Sequence, residues 1–278
     1  MRAVVLIGGR GQRLAPYTTV LPKPLMPLGD EPILKLLVDR LRDCAITDLV
    51  FAGGHLASLV EAYFGDGSRF GVDIEYSVEP EPLGTAAPLR LVGDLGPSFL
   101  LLNGDLVTDL DFRRMVSWHR QSGALATVGL RRHELPSDYG VIETDESGRV
   151  TGYVEKPVQT RLVSMGVYVL DRATLDHLPP EGACDLPELL NRLVARDLPV
   201  MGFVHEGYWV DIGHPEEYRQ AAEDFERHGP KLFGIDRSPG PERSAPVLGG
   251  AEAFGVGAHP LDGPVEAVVE GDGRAPAQ

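Results

Sequence analysis

The sequence predicts an α/β protein whose sheet is mostly parallel, with an antiparallel insertion. Two features of its patterning predict this. From Met1 to about Arg227, short apolar runs ending in glycine, asparagine or aspartate alternate with segments of helical period, as strands buried on both faces alternate with crossover helices. Near the middle the alternation gives way to two runs flanking Asp145-Glu146-Ser147-Gly148, the pattern of a hairpin around a tight turn.

Ala3–Ile7 is a continuous apolar run closed by glycines and reads as the first buried strand. After a long loop, Ile33, Leu34, Leu37, Val38 and Leu41 fall at helical spacing within Pro32–Leu41. Asp48–Ala52 is a second strand and His55–Phe64 a second helix; Val72–Val78 and Phe99–Leu102 are further strands, with Ala86–Leu91 helical between them. Leu110–Gln121 carries Phe112, Met115, Val116 and His119 on one helix face, and Ala124–Leu130 returns as a strand. Tyr139–Thr144 and Arg149–Glu155 form the hairpin, Leu162–Leu170 another long strand, and Asp185–Arg196 and Pro215–Arg227 the last helices. Beyond them, Gly and Pro supply 17 of the 50 residues from Gly229 to Gln278 with no sustained period. The domain reading is therefore 1–228 as the functional domain and 229–278 as a weakly ordered extension.

Of 278 residues, 43% are hydrophobic, enough for a sizeable core, and the formal charge is −15. Such a charge argues against a nucleic-acid or anionic-membrane partner, because phosphate backbones attract basic surfaces. Cys44 and Cys184 are too few for a disulfide framework and form no zinc pattern. The short apolar start lacks signal-peptide features, and no run approaches the roughly 18 apolar residues of a membrane span. A soluble, cytoplasmic protein is expected.

The first strand runs into Gly8-Gly9-Arg10-Gly11-Gln12-Arg13-Leu14, followed by Pro22-Lys23-Pro24. Glycines after a buried strand let backbone N–H groups approach phosphate oxygens. The loop is neither a P-loop nor a dinucleotide fingerprint, since no Gly-Lys-Ser/Thr follows and the third glycine is missing. Arg13 and a lysine clamped between prolines suit fixed phosphate contacts. A second signal is Phe99–Leu102 followed by Asn103-Gly104-Asp105, which places Asp105 at the carboxyl edge of the sheet, where ligands bind in open α/β folds. Asp105 there can hold Mg²⁺ together with phosphate oxygens; helix capping by Asp105, Asp109 or Asp111 is the alternative. Asp211, in Trp209-Val210-Asp211-Ile212-Gly213, would flank the same cation if its strand neighbours that of Asp105. Lys156, between Glu155 and Pro157, is placed to meet a second phosphate.

Taken in order, Gly8–Leu14, Pro22-Lys23-Pro24, Glu81–Ala86, Asn103-Gly104-Asp105, Tyr139-Gly140-Val141, Glu155-Lys156-Pro157 and Trp209–Gly213 resemble the sugar-1-phosphate nucleotidyltransferase family, over residues 1 to about 227. The resemblance implies a Rossmann-like sheet of the nucleotide-diphospho-sugar transferase type, and a reaction of NTP with sugar 1-phosphate that yields NDP-sugar and pyrophosphate. It implies Arg13, Lys23 and Asp105 as catalytic residues, and Asp105 and Asp211 as ligands of Mg²⁺. Gly8, Gly9, Gly11, Gln12, Arg13, Glu79, Gly84 and Thr85 would bind the nucleotide. Asn103, Gly140, Glu155, Lys156, Ser164 and Gly166 would bind the sugar phosphate. A homo-oligomer, dimer or tetramer, is implied as well. The family's C-terminal hexapeptide β-helix has no counterpart in the tail.

Guanine presents two adjacent donors that suit a carboxylate, whereas uracil and thymine suit an amide. Glu79-Pro80-Glu81 offers carboxylates only, which favours GTP, and mannose 1-phosphate is the default partner, with heptose, glucose or cyclitol phosphates open. Ser164 stands where the family usually has Asn, Gln12 and His214 where it has Thr, and Ile7 where it has Ala. Three rivals remain: a uridylyl- or thymidylyltransferase, an NDP-sugar-using glycosyltransferase reading Asp109-Leu110-Asp111 as its metal motif, and a silent regulatory homologue.

Overall fold

The computed structural model describes residues 1–9, 11–54 and 56–229, without the side chain of Gln12. In chain order its elements are β1 (Arg2–Leu6), β2 (Pro27–Leu28), β3 (Glu31–Pro32), α1 (Ile33–Asp43), β4 (Asp48–Gly53), α2 (Ala57–Phe64), β5 (Asp73–Val78), β6 (Ser98–Asn103) and β7 (Leu106–Thr108). There follow α3 (Phe112–Ser122), β8 (Ala126–Pro136), β9 (Val141–Thr144), β10 (Val150–Val154), β11 (Val158–Asp171), α4 (Leu186–Val194), β12 (Val200–Val204), β13 (Trp209–Asp211) and α5 (Pro215–His228). Apart from Gly229, the tail lies outside the described residues. Among the described residues no helix is long and apolar enough to cross a membrane.

The main sheet has the order β12-β8-β11-β6-β1-β4-β5. Strands β6, β1, β4 and β5 pair in parallel, as do β12 and β8, and β11 runs antiparallel to both of its neighbours. Successive residues of β1 point to opposite faces. Ala3, Val5 and Ile7 pack with Leu34, Leu37, Val38 and Leu41 of α1, Val60 and Phe64 of α2, and Met115 of α3. Val4 joins Leu101 of β6 and Leu186, Leu189 and Leu193 of α4 on the other face. Helices thus cover both faces, which is why the parallel strands read as unbroken apolar runs. His119 sits on the buried face of α3 because its ring is held by Thr127 Oγ1 at 2.8 Å and Asp171 Oδ1 at 3.2 Å, so its polar nitrogens stay partnered.

Several elements depart from expectation. β8 and β11 extend well past the sheet, pairing from Leu130↔Ser164 out to Pro136↔Val158; the outer residues are exposed and so carry no apolar period. Ala87–Leu91 is a 3-10 turn containing Pro88 rather than a helix from Ala86, as expected of a residue that cannot donate to the helical ladder. α2 begins at Ala57, after Leu56 in the left-handed region at φ 56°. β7 and β12 carried no signal of their own, being three and five residues long.

A third, smaller core of Leu14, Met26, Leu28, Ile33, Leu36, Val107, Ile212, Ala221 and Phe225 ties the loop after β1 to β7, to the segment after β13 and to α5. Of the three candidate capping aspartates, Asp111 caps α3, accepting from the N–H groups of Arg113 at 3.0 Å and Arg114 at 3.4 Å. Asp111→Ala is expected to lower stability by about 1 kcal/mol, measured as a shifted denaturation midpoint at unchanged m-value.

Candidate active site

Asp105 lies in the two-residue turn between β6 and β7, and Asp211 ends β13. β13 pairs antiparallel with β7, with Asp211 opposite Leu106, and Ile212 N–H donates to the Asp105 carbonyl at 3.3 Å. The two carboxylates therefore meet at one rim, as the condition on neighbouring strands required. Lys23 joins them: its ammonium hydrogen-bonds Asp105 Oδ2 and lies 3.8 Å from Asp211 Oδ1. The proline clamp has a local basis, because Pro22 is extended at φ −62°, Pro24 is buried, and Lys23–Leu25 forms a single 3-10 turn closed by Leu25 N–H to Pro22 O at 2.8 Å. Burial, reinforced by the Asp105 carboxylate, pushes the Asp211 carboxyl above the ordinary aspartate range; Lys23 opposes the shift.

Arg13 also lies near Asp211 and favours its charged form. It is in a 3-10 turn closed by Leu14 N–H to Gly11 O, and its Nη1 is 2.9 Å from His214 Nε2. His214 begins α5, where Glu217 Oε2 accepts from Gly213 N–H at 2.8 Å and His214 N–H at 2.7 Å. The departure at His214 thus gives Arg13 a ring to lean on.

Beside these groups, Gly8, Gly9, Glu79, Pro82, Gly84 and Thr85 line a cavity of about 220 Å³ above Leu6 and Ala52. This brings together most of the expected nucleotide set. Glu79 Oε2 accepts from Leu83 N–H at 2.8 Å, while Glu81 is exposed and does not line the cavity. Thr85 N–H and its hydroxyl both reach Asp185 Oδ1, at 3.0 and 3.3 Å, and its oxygen accepts from Leu186 N–H at 2.7 Å. Asp185, a hundred residues away in sequence, fixes this turn, and nothing local marked it. Gly53 also escaped notice. A Cβ there would stand 2.6 Å from Gly8 N and 2.9 Å from Gly8 Cα, so only glycine lets β4 approach the loop after β1 so closely. The glycine pair ending a buried strand was the available signal.

A second cavity, of about 370 Å³, is lined by Arg131, His133, Val163, Ser164, Trp209, Val210, Asp211 and Glu217. Ser164 Oγ is 2.8 Å from Tyr168 Oη and accepts from Gly166 N–H at 3.2 Å, where a register irregularity interrupts the β8–β11 pairing. Gly166 has φ 70°, and a Cβ on it would lie 2.6 Å from Asn103 Nδ2, so Asn103 packs directly on the irregularity. Arg131 and His133 were not singled out in the sequence; they alternate along β8 in a stretch without apolar period.

Gly140, Glu155 and Lys156 form a separate group. Tyr153 Oη donates to Glu155, and a Cβ on Gly140 would meet both side chains. Lys156 is exposed at φ 42° and has no side-chain hydrogen bond or ion pair among the described residues. The structure does not join it to Asp105 or Asp211.

The carboxylate pair fits a divalent ion. Asp105 Oδ1 is buried and without a hydrogen-bond partner, a cost that a cation would remove. Among the described residues no cluster of three or more His, Cys, Asp or Glu could hold a metal, so an ion here would draw on water and phosphate oxygens, as Mg²⁺ does. Asp109 and Asp111 are engaged elsewhere: His205 Nε2 is 2.8 Å from Asp109 Oδ1, and Asp111 caps α3.

Fold and site together define an α/β protein that gathers Lys23, Asp105 and Asp211 at the carboxyl edge of its sheet. The chain belongs to the nucleotidyl transferase family, whose model matches residues 2–228. It is 34% identical over 263 residues to the UTP–glucose-1-phosphate uridylyltransferase of Synechocystis sp., covering 86% of this chain and 68% of that protein. It is 35% identical over 227 residues to the mannose-1-phosphate guanyltransferase of Schizosaccharomyces pombe, covering 78% of this chain but only 62% of that protein's length. A crystal structure from Bacillus anthracis, provisionally named a glucose-1-phosphate thymidylyltransferase, superposes with a TM-score of 0.66 at 27% identity, over 80% of this chain and 94% of that one. Gly53→Ala is expected to push the loop after β1 out of place and weaken nucleoside triphosphate binding by about tenfold or more, read by calorimetric titration.

Proposed function

We propose that this chain is a sugar-1-phosphate nucleotidyltransferase, with residues 1–228 as its catalytic domain. The observation that carries the reading is the convergence of Asp105, Asp211 and Lys23 at one rim, with Asp211 also lining the cavity that holds Ser164. An oxygen of the sugar phosphate attacks the α-phosphorus, the bond from that phosphorus to the bridging oxygen breaks, and pyrophosphate leaves. Two anions must be brought together, so the task is charge neutralisation and alignment. Arg13 and Lys23 supply fixed positive charge beside the triphosphate, and backbone N–H groups of Gly8, Gly9 and Gly11 cradle its oxygens. Asp105 and Asp211 would hold Mg²⁺, which when bound neutralises phosphate charge. Lys156, presented on the exposed hairpin, would swing to the sugar phosphate.

The base cavity supports GTP. Glu79 spends Oε2 on Leu83 N–H, leaving Oε1 for the paired donors of guanine. The guanyltransferase relative agrees with this, and mannose 1-phosphate is the matching first choice; the uridylyltransferase relative marks UTP with glucose 1-phosphate as the alternative. Homo-oligomer formation and cytoplasmic residence belong to the same proposal.

Pyrophosphate release from a matrix of NTPs against sugar 1-phosphates is expected to show GTP ahead of UTP and dTTP; a clear preference for either pyrimidine would overturn the base assignment. Asp105→Asn is expected to lower turnover at least about a hundredfold with an unchanged circular dichroism spectrum, and chelation by EDTA to abolish wild-type turnover until Mg²⁺ is restored. Near-normal activity of Asp105→Asn would remove it from the mechanism.

A further inference from the structure

The cavity beside Asp211 holds a guanidinium, Arg131, and an imidazole, His133, that the proposed reaction leaves unassigned. Arg131 and His133 alternate along β8 and so share one strand face, opposite Val163 and Arg161 of β11. The intervening Arg132 belongs to the other face and is paired with Glu206 at 3.2 Å. Arg131 and His133 have no carboxylate within ion-pair distance among the described residues. Among the described residues Arg131 donates through Nη1 to the Gly207 carbonyl, which leaves most of its five N–H groups uncommitted. An arginine without a carboxylate partner is notable in a chain of net charge −15.

Neither carboxylate of the cavity is ion-paired with Arg131. Glu217 is engaged by two backbone N–H groups at the start of α5, and Asp211 faces Lys23 and Asp105. The stretch of β8 that carries Arg131 and His133 also lies beyond the last residue paired on both sides. Leu130 is the last residue of β8 paired with β12, through Val204, whereas residues 131–136 pair only with β11 on the arm beyond the sheet. A sugar whose 1-phosphate lay at Asp105 and Asp211 would therefore reach Arg131 and His133 with the part of its ring remote from that phosphate.

We infer that this cavity takes a sugar 1-phosphate bearing a second anionic substituent, a carboxylate or a phosphate, and that Arg131 is the residue that selects it. The inference rests on the nucleotidyltransferase reading for the position of the 1-phosphate. It adds a requirement on the sugar that the uncommitted donors of Arg131 impose. A guanidinium fork matches either anion in a bidentate way, and His133 adds a second donor.

The test compares gluco- and manno-configured hexose 1-phosphates with the corresponding uronic acid 1-phosphates and hexose 1,6-bisphosphates, by pyrophosphate release with GTP and UTP. At least one charged substrate is expected to exceed its neutral counterpart about tenfold or more in kcat/KM, and which one wins distinguishes carboxylate from phosphate. Arg131→Gln is expected to collapse that ratio toward one, while Arg131→Lys, which keeps the charge, retains part of it. Equal or better use of the neutral sugars overturns the inference, as does an Arg131→Gln variant that loses charged and neutral substrates in equal measure, since Arg131 would then hold the 1-phosphate itself. Fluorescence of Trp209, which lines the cavity, separates this from the catalytic reading. Charge-selective binding that Arg131→Gln abolishes supports the inference even if no sugar turns over, in which case only the nucleotidyltransferase reading falls. Turnover without charge-selective binding leaves the reading standing and removes the inference.

Discussion

Everything at the rim of this sheet depends on two carboxylates held closer than they would choose. Asp105 and Asp211 reach the same place beside the paired strands β7 and β13, and burial, reinforced by their mutual repulsion, disfavours the charged form of Asp211. Lys23 offsets that repulsion by lying between them. One oxygen of Asp105 is nonetheless left buried and unpartnered. A site that satisfies itself incompletely is a site prepared for a cation or a charged ligand, because an orphaned acceptor away from water is otherwise an uncompensated cost.

The arrangement is supported from below by a small core of its own. Leu14, Met26, Val107, Ile212 and Phe225 pack together, and each lies one to five residues from Arg13, Lys23, Asp105 or Asp211, or on α5 behind them. The main sheet therefore sets the location of the site, while this satellite core sets the positions of its charged groups. Such a division lets the loops that carry function be irregular and still be fixed, since packed side chains, not backbone ladders, hold them.

Reversal of a single strand gives the site its second half. Because β11 runs against β6 and β8, it and β8 can continue together past the sheet as a two-stranded arm. The irregularity at Ser164–Tyr168 and the contact between Gly166 and Asn103 join that arm to the end of β6. One cavity is lined from the parallel half of the sheet and the other from the antiparallel arm together with Trp209, Val210 and Asp211.

The sequence by itself determined the α/β class, the parallel strands and the identity of the charged residues, because a strand buried on both faces must be apolar throughout and the glycines, clamped lysine and strand-end aspartates stand out against it. Phe99–Leu102 leading to Asp105 could be read in this way, and so could Pro22-Lys23-Pro24. Only the tertiary structure decided which of these residues meet. Asp185 reaches Thr85 across a hundred residues, and β13 finds β7 through three paired residues too short to carry a period. Arg131 and Arg132 look alike in the sequence, yet they part to opposite faces of one strand, one paired and one open to the cavity. Their fates differ because side-chain direction in a strand depends on register, and register is fixed by the partner strand rather than by the residues themselves.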